Sequence, residues 1–384
     1  MCLIGWVPTF LVLSLGAYLF GVEPNSGAGG GSRTLTPVKA LDFESSASAI
    51  PPLRQEPASF LVNFSRPRKV ILQDAPGFGL LKGLNGENIS DRKEAGVERI
   101  PYKGWKQNVQ LTNGVIELIV TLDVGPRIIR YGFVGGPNVF GEFESQLGKR
   151  GEKKWMIRGG HRLWVAPEHK PRTYEPDNGP VESVREIPDG IRVVQQRGAL
   201  TGIRKSMDIT VPSCGTRSRI IHTLTNAGKK PVQCSAWALS VMPKNGVAII
   251  PLPKLVSHDE RCTPNQNWSL WSYTDMTDPR LKLGSKFVLV RQDPRRGPFK
   301  LGMAQREGWA AYLRGEILFI KNFARKAGSV YPDNDVNFEV YTDENIVEIE
   351  TLGPLVTLKP GQSVQHEERW LLVKMGKADR CRSV

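Results

Sequence analysis

Chemically capable side chains crowd into one stretch, from Gly159 through His169 and on through Tyr174 to Pro180. It holds His161 and His169, two of the five histidines, with Arg162, Trp164, Glu168, Arg172, Tyr174, Glu175, Asp177 and Asn178. That set suits a polyhydroxylated ligand. Planar charged and amide groups pair with hydroxyls, and aromatic faces take the C–H side of a sugar ring. A histidine side chain ordinarily titrates near neutral pH, which makes His161 a candidate proton donor. A second candidate region is Glu348-Ile349-Glu350-Thr351-Leu352-Gly353-Pro354. Strand alternation would point Glu348 and Glu350 to one face and Ile349 to the other. If that face is concave, Glu350 is a candidate base. Blander readings stand beside these: a surface loop capping its own turns, a histidine bonded to backbone at a strand end, and two solvated carboxylates.

Pro167, Pro171, Pro176 and Pro180 exclude a regular helix from the first stretch, because each lacks an N–H and fixes φ. A strand end feeding a rigid polar loop fits better, and loops held by a scaffold often carry function. Around it lie short β-rich runs: 115–124, 191–197, 204–211, 219–225, 232–242, 287–291, 309–313, 316–323, 337–342, 346–352 and 367–373. Asp189-Gly190 and Arg314-Gly315 are hairpin signals between them. Runs at helical spacing do not exceed two turns, and there is no repeat of fixed period. The expected fold is all-β: a large two-sheet antiparallel β-sandwich over residues 100–384. Residues 1–22 are uncharged and mostly apolar, which predicts a signal peptide or membrane anchor and an exported or membrane-anchored protein. Residues 23–99 read as a Gly-, Ser- and Pro-rich linker with a transitional segment.

The 384 residues are 40% hydrophobic, a globular composition. The net charge of +14 raises nucleic acid as a partner, but the basic residues are spread along the chain, without an aromatic-studded motif. No nucleic-acid partner is expected. The five cysteines form no C-x-x-C pair, which disfavours structural zinc and thioredoxin-like chemistry. Cys214 and Cys234 flank an expected hairpin, where they could pair in an oxidising compartment or stay as buried thiols. There is no G-x-S-x-G elbow and no P-loop. His161, Glu168 and His169 match no standard metal-ligand spacing, so neither metal nor other cofactor is expected.

Three blocks in order carry a resemblance: Leu122-Asp123-Val124-Gly125-Pro126-Arg127-Ile128, the Gly159–Pro180 run, and Glu348 to Pro354 followed by Pro360-Gly361 and Glu368-Arg369-Trp370. Over roughly residues 100–375 the chain resembles a bacterial family of uncharacterised proteins in the galactose-mutarotase-like, or aldose-epimerase-like, superfamily. The resemblance implies a β-supersandwich whose concave sheet forms a carbohydrate-binding cleft. In an aldose epimerase a late carboxylate takes the anomeric hydroxyl proton and histidines protonate the ring oxygen. Arg127 or Arg162, His161 and Glu350 are the counterparts it implies. The middle-strand histidine expected near Trp237-Ala238-Leu239-Ser240 is replaced by Trp237, and His222 lies on the preceding run. The expected ligand is therefore a carbohydrate, bound by Arg127, Arg162, Trp164, Glu168, His169, Tyr174, Asp177, Asn178 and Trp237, with His161 as acid and Glu350 as base if the protein is an isomerase. An interaction sandwich without ligand is the remaining alternative; it would bury Trp164 and Tyr174 against the sheet.

Overall fold

The computed structural model of the protein describes residues 96–375. The readings for residues 1–22 and for nearly all of 23–99 lie outside the described residues. The first strand, β1, spans Gly96–Tyr102 and so starts ahead of residue 100.

Two large sheets face each other. The first runs β1, β2 (Trp105–Thr112), β3 (Ile116–Thr121), β4 (Arg127–Phe133), β5 (His161–Ala166), β10 (Val232–Met242), β19 (Val347–Leu352), β18 (Phe338–Thr342), β15 (Phe299–Met303) and β12 (Trp268–Leu270). A short β20 (Val356–Leu358) also pairs with β10. The second sheet runs β13 (Leu281–Leu283), β14 (Phe287–Arg291), β11 (Val247–Pro251), β16 (Trp309–Arg314), β17 (Ile317–Phe323), β21 (Ser363–Lys374), β9 (Arg217–Asn226), β8 (Ile203–Thr210), β7 (Gly190–Val194) and β6 (Ser183–Ile187). These strands pair antiparallel throughout. The architecture is the all-β sandwich expected from the sequence.

The core between the sheets is built from inward-facing residues of both, among them Leu118, Val120, Ile220, Phe299, Val340 and Ile349. Trp370 is its centre: its indole lies 5.4 Å from the Tyr131 and Phe140 rings and 5.6 Å from Phe319, in tilted or edge-on geometry. Strand β10 is buried from Cys234 to Met242, because its second face is covered by the loops over the first sheet.

The hairpin signals have definite physical roles. Asp189 adopts φ 59° and Gly190 passes so close to β8 that a Cβ there would lie 1.9 Å from the Ile209 carbonyl oxygen. At the other hairpin Arg314 pairs with Ile317, so the two-residue loop is Gly315-Glu316, one position later than expected. Strands β10 and β14 fall where the β-rich runs place them, whereas β2, β11 and β15 are additional. In β15, Lys300 and Gly302 interrupt the apolar pattern, although both are buried. Cys214 is exposed, Cys234 is buried, and no disulfide bridges them.

Candidate functional site

Strand register builds a chemical surface on the outer face of the first sheet. Arg162 on β5 sits opposite Leu239 on β10, Leu239 opposite Glu350 on β19, and Glu350 opposite Glu339 on β18. Two residues along, and therefore on the same face, Val241, Glu348, Tyr341 and Lys300 form a parallel row. Two residues the other way lie Trp164, Trp237 and Leu352. Loops add Trp155, Glu168, Lys170, Tyr174 and Tyr273, which with Arg162, Trp164, Trp237, Leu239, Lys300, Tyr341, Glu348 and Glu350 line a cleft of about 600 Å³. That volume lies within the range of small-molecule and saccharide sites.

The cleft floor is aromatic and charged at once. Trp164 packs edge-on against Trp237 at 5.3 Å and Trp155 at 4.9 Å, and its centroid lies 5.1 Å from the Tyr174 ring. The Arg162 guanidinium lies 4.5 Å from the Trp164 centroid and 5.2 Å from Trp155, and its Nη2 pairs with Glu348 Oε1 at 2.9 Å. Glu350 receives two donors on one oxygen: Trp237 Nε1–H at 2.9 Å and Lys300 Nζ at 3.2 Å. Lys300 also pairs with Glu339 at 2.7 Å, and its ammonium sits 4.7 Å from the Trp237 ring and 4.6 Å from Trp271. Gly302 makes room for that indole, since a Cβ there would lie 3.2 Å from Trp271.

Burial opposes charge on Lys300, but the Glu339 and Glu350 carboxylates outweigh it and hold the ammonium well above the ordinary lysine value. Burial also pushes the Glu339 carboxyl well above its usual range, further than Lys300 can offset. Burial raises the Glu348 carboxyl as well, against the opposing pull of Arg162. Glu168 accepts a 2.5 Å hydrogen bond from Tyr174 Oη at the rim.

The expected site residues divide by strand parity and by loop. Arg162, Trp164, Glu168, Tyr174, Trp237 and Glu350 come together at the cleft. His161 does not. It shares a row with Ser240 and Ile349, one residue out of phase with Arg162, so it faces the inter-sheet core while Glu350 faces the cleft. The expected pairing of His161 as acid with Glu350 as base is corrected by this register, because the two side chains leave the sheet on opposite faces. Arg127 is fully buried; it donates to the Ile157 and Met156 carbonyls and grips Asp177 at 3.0 Å. Asn178 donates to the Glu152 and Lys154 carbonyls and accepts from Arg158. Arg127, Asp177 and Asn178 thus brace the loop rather than line the cleft. His169 is exposed and apart from the cleft lining; its backbone N–H donates to Thr173 Oγ1. With His161 buried and Glu168 and His169 exposed, these three do not converge on a metal.

Behind the cleft sheet lies a second polar constellation. His222 Nδ1 is 3.1 Å from the His366 carbonyl oxygen, which only accepts, so Nδ1 carries the proton and Nε2 is an acceptor. His161 Nε2, at 2.7 Å, must then donate to it, and His161 Nδ1 accepts from the Ser240 hydroxyl at 2.9 Å. Glu368 takes Lys321 Nζ at 3.0 Å, Trp370 Nε1–H at 2.8 Å and the Thr351 hydroxyl, which itself accepts from His366 Nε2 at 2.7 Å. The ligand atoms of His161, His222 and Glu368 lie within 4.8 Å of one another. A metal could enter there only by breaking hydrogen bonds that commit both ring nitrogens and both carboxylate oxygens. Burial, reinforced by Lys321 and outweighing Glu368, drives the His161 imidazole well below its ordinary value. Burial likewise lowers His222, and takes His366 down to about 3.

Lys300, Tyr341, Tyr273 and Trp155 are cleft residues that the sequence motifs did not single out. Around Lys300 the local run Phe-Lys-Leu-Gly-Met is broken by the lysine and the glycine and does not mark Lys300 as buried. Nothing local marks the other three, because loop packing and cross-sheet register bring them in.

Comparison with protein-family models and with curated proteins gives no match. Solved structures are similar to this chain. They include a candidate aldose 1-epimerase from Escherichia coli K12 (14% identity, 69% of this chain and 98% of that one, TM-score 0.46). A galactose mutarotase-like protein from Lactobacillus casei ATCC 334 matches at 10% identity, over 69% of this chain and 100% of that one, with TM-score 0.48. A TPR-domain containing protein from Parabacteroides distasonis ATCC 8503 matches at 14% identity over 72% of this chain and 49% of that one, with TM-score 0.49.

Proposed function

We propose that the protein binds a carbohydrate in the cleft of the first sheet. The observation that carries this reading is one sheet face setting Trp164 and Trp237 beside Arg162, Glu348, Glu350 and Lys300 around about 600 Å³. Aromatic surface for C–H faces and fixed charged groups for hydroxyls are the two requirements of sugar recognition. Ligand-observed NMR of the full chain against a panel of monosaccharides and disaccharides, including freshly dissolved α-anomers, tests it. Saturation transfer that weakens in Trp237→Ala is the expected result. Absence of contact with every sugar overturns the reading.

An aldose 1-epimerase-like activity keeps Glu350 as its base but must find an acid other than His161, which is on the wrong face of the sheet. Binding without faster anomer exchange is therefore the expected outcome. Exchange that is accelerated and then abolished in Glu350→Gln would replace it with the isomerase reading. The uncharged apolar residues 1–22 support an exported or membrane-anchored setting, which cell fractionation tests.

A further inference from the structure

We infer that the protein docks on an anionic phospholipid surface through a basic patch beside the β1–β2 turn, apart from the cleft. Six cations make the patch: Lys103 in the turn, Lys106 on β2, and Lys149, Arg150, Lys153 and Lys154 on the loop between β4 and β5. All six are exposed, Lys103 over 43% and Arg150 over 68% of the side chain. Two segments distant in the chain are brought into contact here. Gly104 and Gly148 pass so close that a Cβ on either would lie 3.0 Å from the other's Cα. Trp105 Nε1–H and Arg158 Nη1 both donate to the Lys149 carbonyl at 3.0 Å. Asn178 donates to the Glu152 carbonyl at 2.9 Å and the Lys154 carbonyl at 2.6 Å. Buried donors thus hold the backbone of the loop and leave its basic side chains in solvent.

The carboxylates of the same region are engaged. Glu144 pairs with Lys103 at 3.5 Å, and Glu152 pairs with the buried Arg158. Asp123 accepts the Lys106 and Gln107 amides and lies 3.5 Å from Arg150. Among the described residues Lys106, Lys149, Lys153 and Lys154 form no ion pair. Unpaired like charges gathered on one fixed surface raise its potential and attract an anionic partner. That partner is a surface rather than an inserted ligand, because none of the six cations lines the cleft, whose share of this loop begins at Trp155. The aromatic rings beside them are not free to stack a nucleic-acid base: Trp105 is buried, and the Tyr102 hydroxyl donates to Glu142. A chain expected to carry a signal peptide or membrane anchor at residues 1–22 meets a bilayer. Each lysine or arginine near an anionic bilayer gains about fivefold in affinity. The inference stands apart from the carbohydrate reading.

The test is co-sedimentation of the full chain with phosphatidylcholine vesicles, with and without phosphatidylglycerol, at low and at physiological salt. Any hold exerted by the apolar residues 1–22 is common to both compositions and drops out of the ratio. The expected result is binding to the anionic vesicles about a hundredfold tighter at low salt, an advantage that shrinks as salt screens it. Lys149→Gln, Lys153→Gln and Lys154→Gln together should remove most of that advantage. Lys103→Gln with Lys106→Gln alters the other segment, should give a smaller loss, and decides the matter if the triple variant fails to fold. The same number of changes at exposed lysines elsewhere, Lys229→Gln, Lys230→Gln and Lys286→Gln, should leave the advantage in place. Equal affinity for neutral and anionic vesicles overturns the proposal. So does an equal loss in the distant variant, which would spread the effect over the net charge. Tighter binding of a DNA duplex than of anionic vesicles at the same salt assigns the patch to nucleic acid and overturns the membrane reading.

Discussion

Glu350 shows how one side chain's role depends on the donors around it. Trp237→Phe keeps most of the buried ring and deletes the N–H donated to Glu350, so it should cost about 1–3 kcal/mol of stability, as expected when a buried acceptor loses a partner. Urea denaturation measures that loss, and an unchanged midpoint would refute the bond. Lys300→Met is the harsher change. It strands Glu339 and Glu350 opposite each other on adjacent strands, and loss of one partner from a buried ionic cluster costs about 3–5 kcal/mol. A midpoint shift under a third of that size would mean solvent reaches the carboxylates. Glu350 was legible because Glu-Ile-Glu alternation declares a strand face. Lys300 was not, since a lysine carries no mark of being buried until cross-strand neighbours surround it.

At the scale of elements, β5, β9, β19 and β21 meet through the His161–His222–His366–Glu368 network between the sheets. The three histidines are held below their unfolded value of about 6.5, so the unfolded chain binds more protons than the folded one in acid. Their contribution is complete above about pH 6.5 and is lost as pH falls toward the folded values, about 3 for His366. Each neutral buried histidine removes about 1.4 kcal/mol of stability per pH unit below that point. Denaturation midpoints at pH 7.5, 6.0 and 5.0 should fall steadily, and His366→Gln should flatten the slope by about one proton's worth. A flat profile would show that the imidazoles are not buried as neutral groups. His161 was chosen from the sequence for its chemistry, and its chemistry is used, but on the inner side of β5. A one-residue change of parity separates the two outcomes. The local sequence Gly-Gly-His-Arg-Leu-Trp does not state which of His161 and Arg162 faces the core.

Across the whole molecule, Trp370 ties the two sheets together through Tyr131, Phe140 and Phe319, and through its N–H to Glu368. Trp370→Ala should cost about 3–5 kcal/mol or more, because a large cavity opens and a buried carboxylate loses a donor. Loss of near-ultraviolet circular dichroism at a lower temperature reads it out, and an unchanged transition would mean the sheets hold without this contact.

Composition, turn chemistry and the spacing of β-rich runs were sufficient to establish an antiparallel sandwich, because period-two alternation and Gly-containing hairpins are local properties. They also located the Gly159–Pro180 segment and the Glu348–Glu350 strand. What only the tertiary structure decided is which of those groups share a surface. Arg162, Trp237 and Glu350 meet because β5, β10 and β19 lie side by side in one register, although they come from widely separated parts of the chain. Arg127, Asp177 and Asn178, nearer to His161 in sequence than Glu350 is, are spent on bracing the loop. Strand order and register are long-range pairings, fixed by burial of two facing sheets rather than by any local pattern of residues.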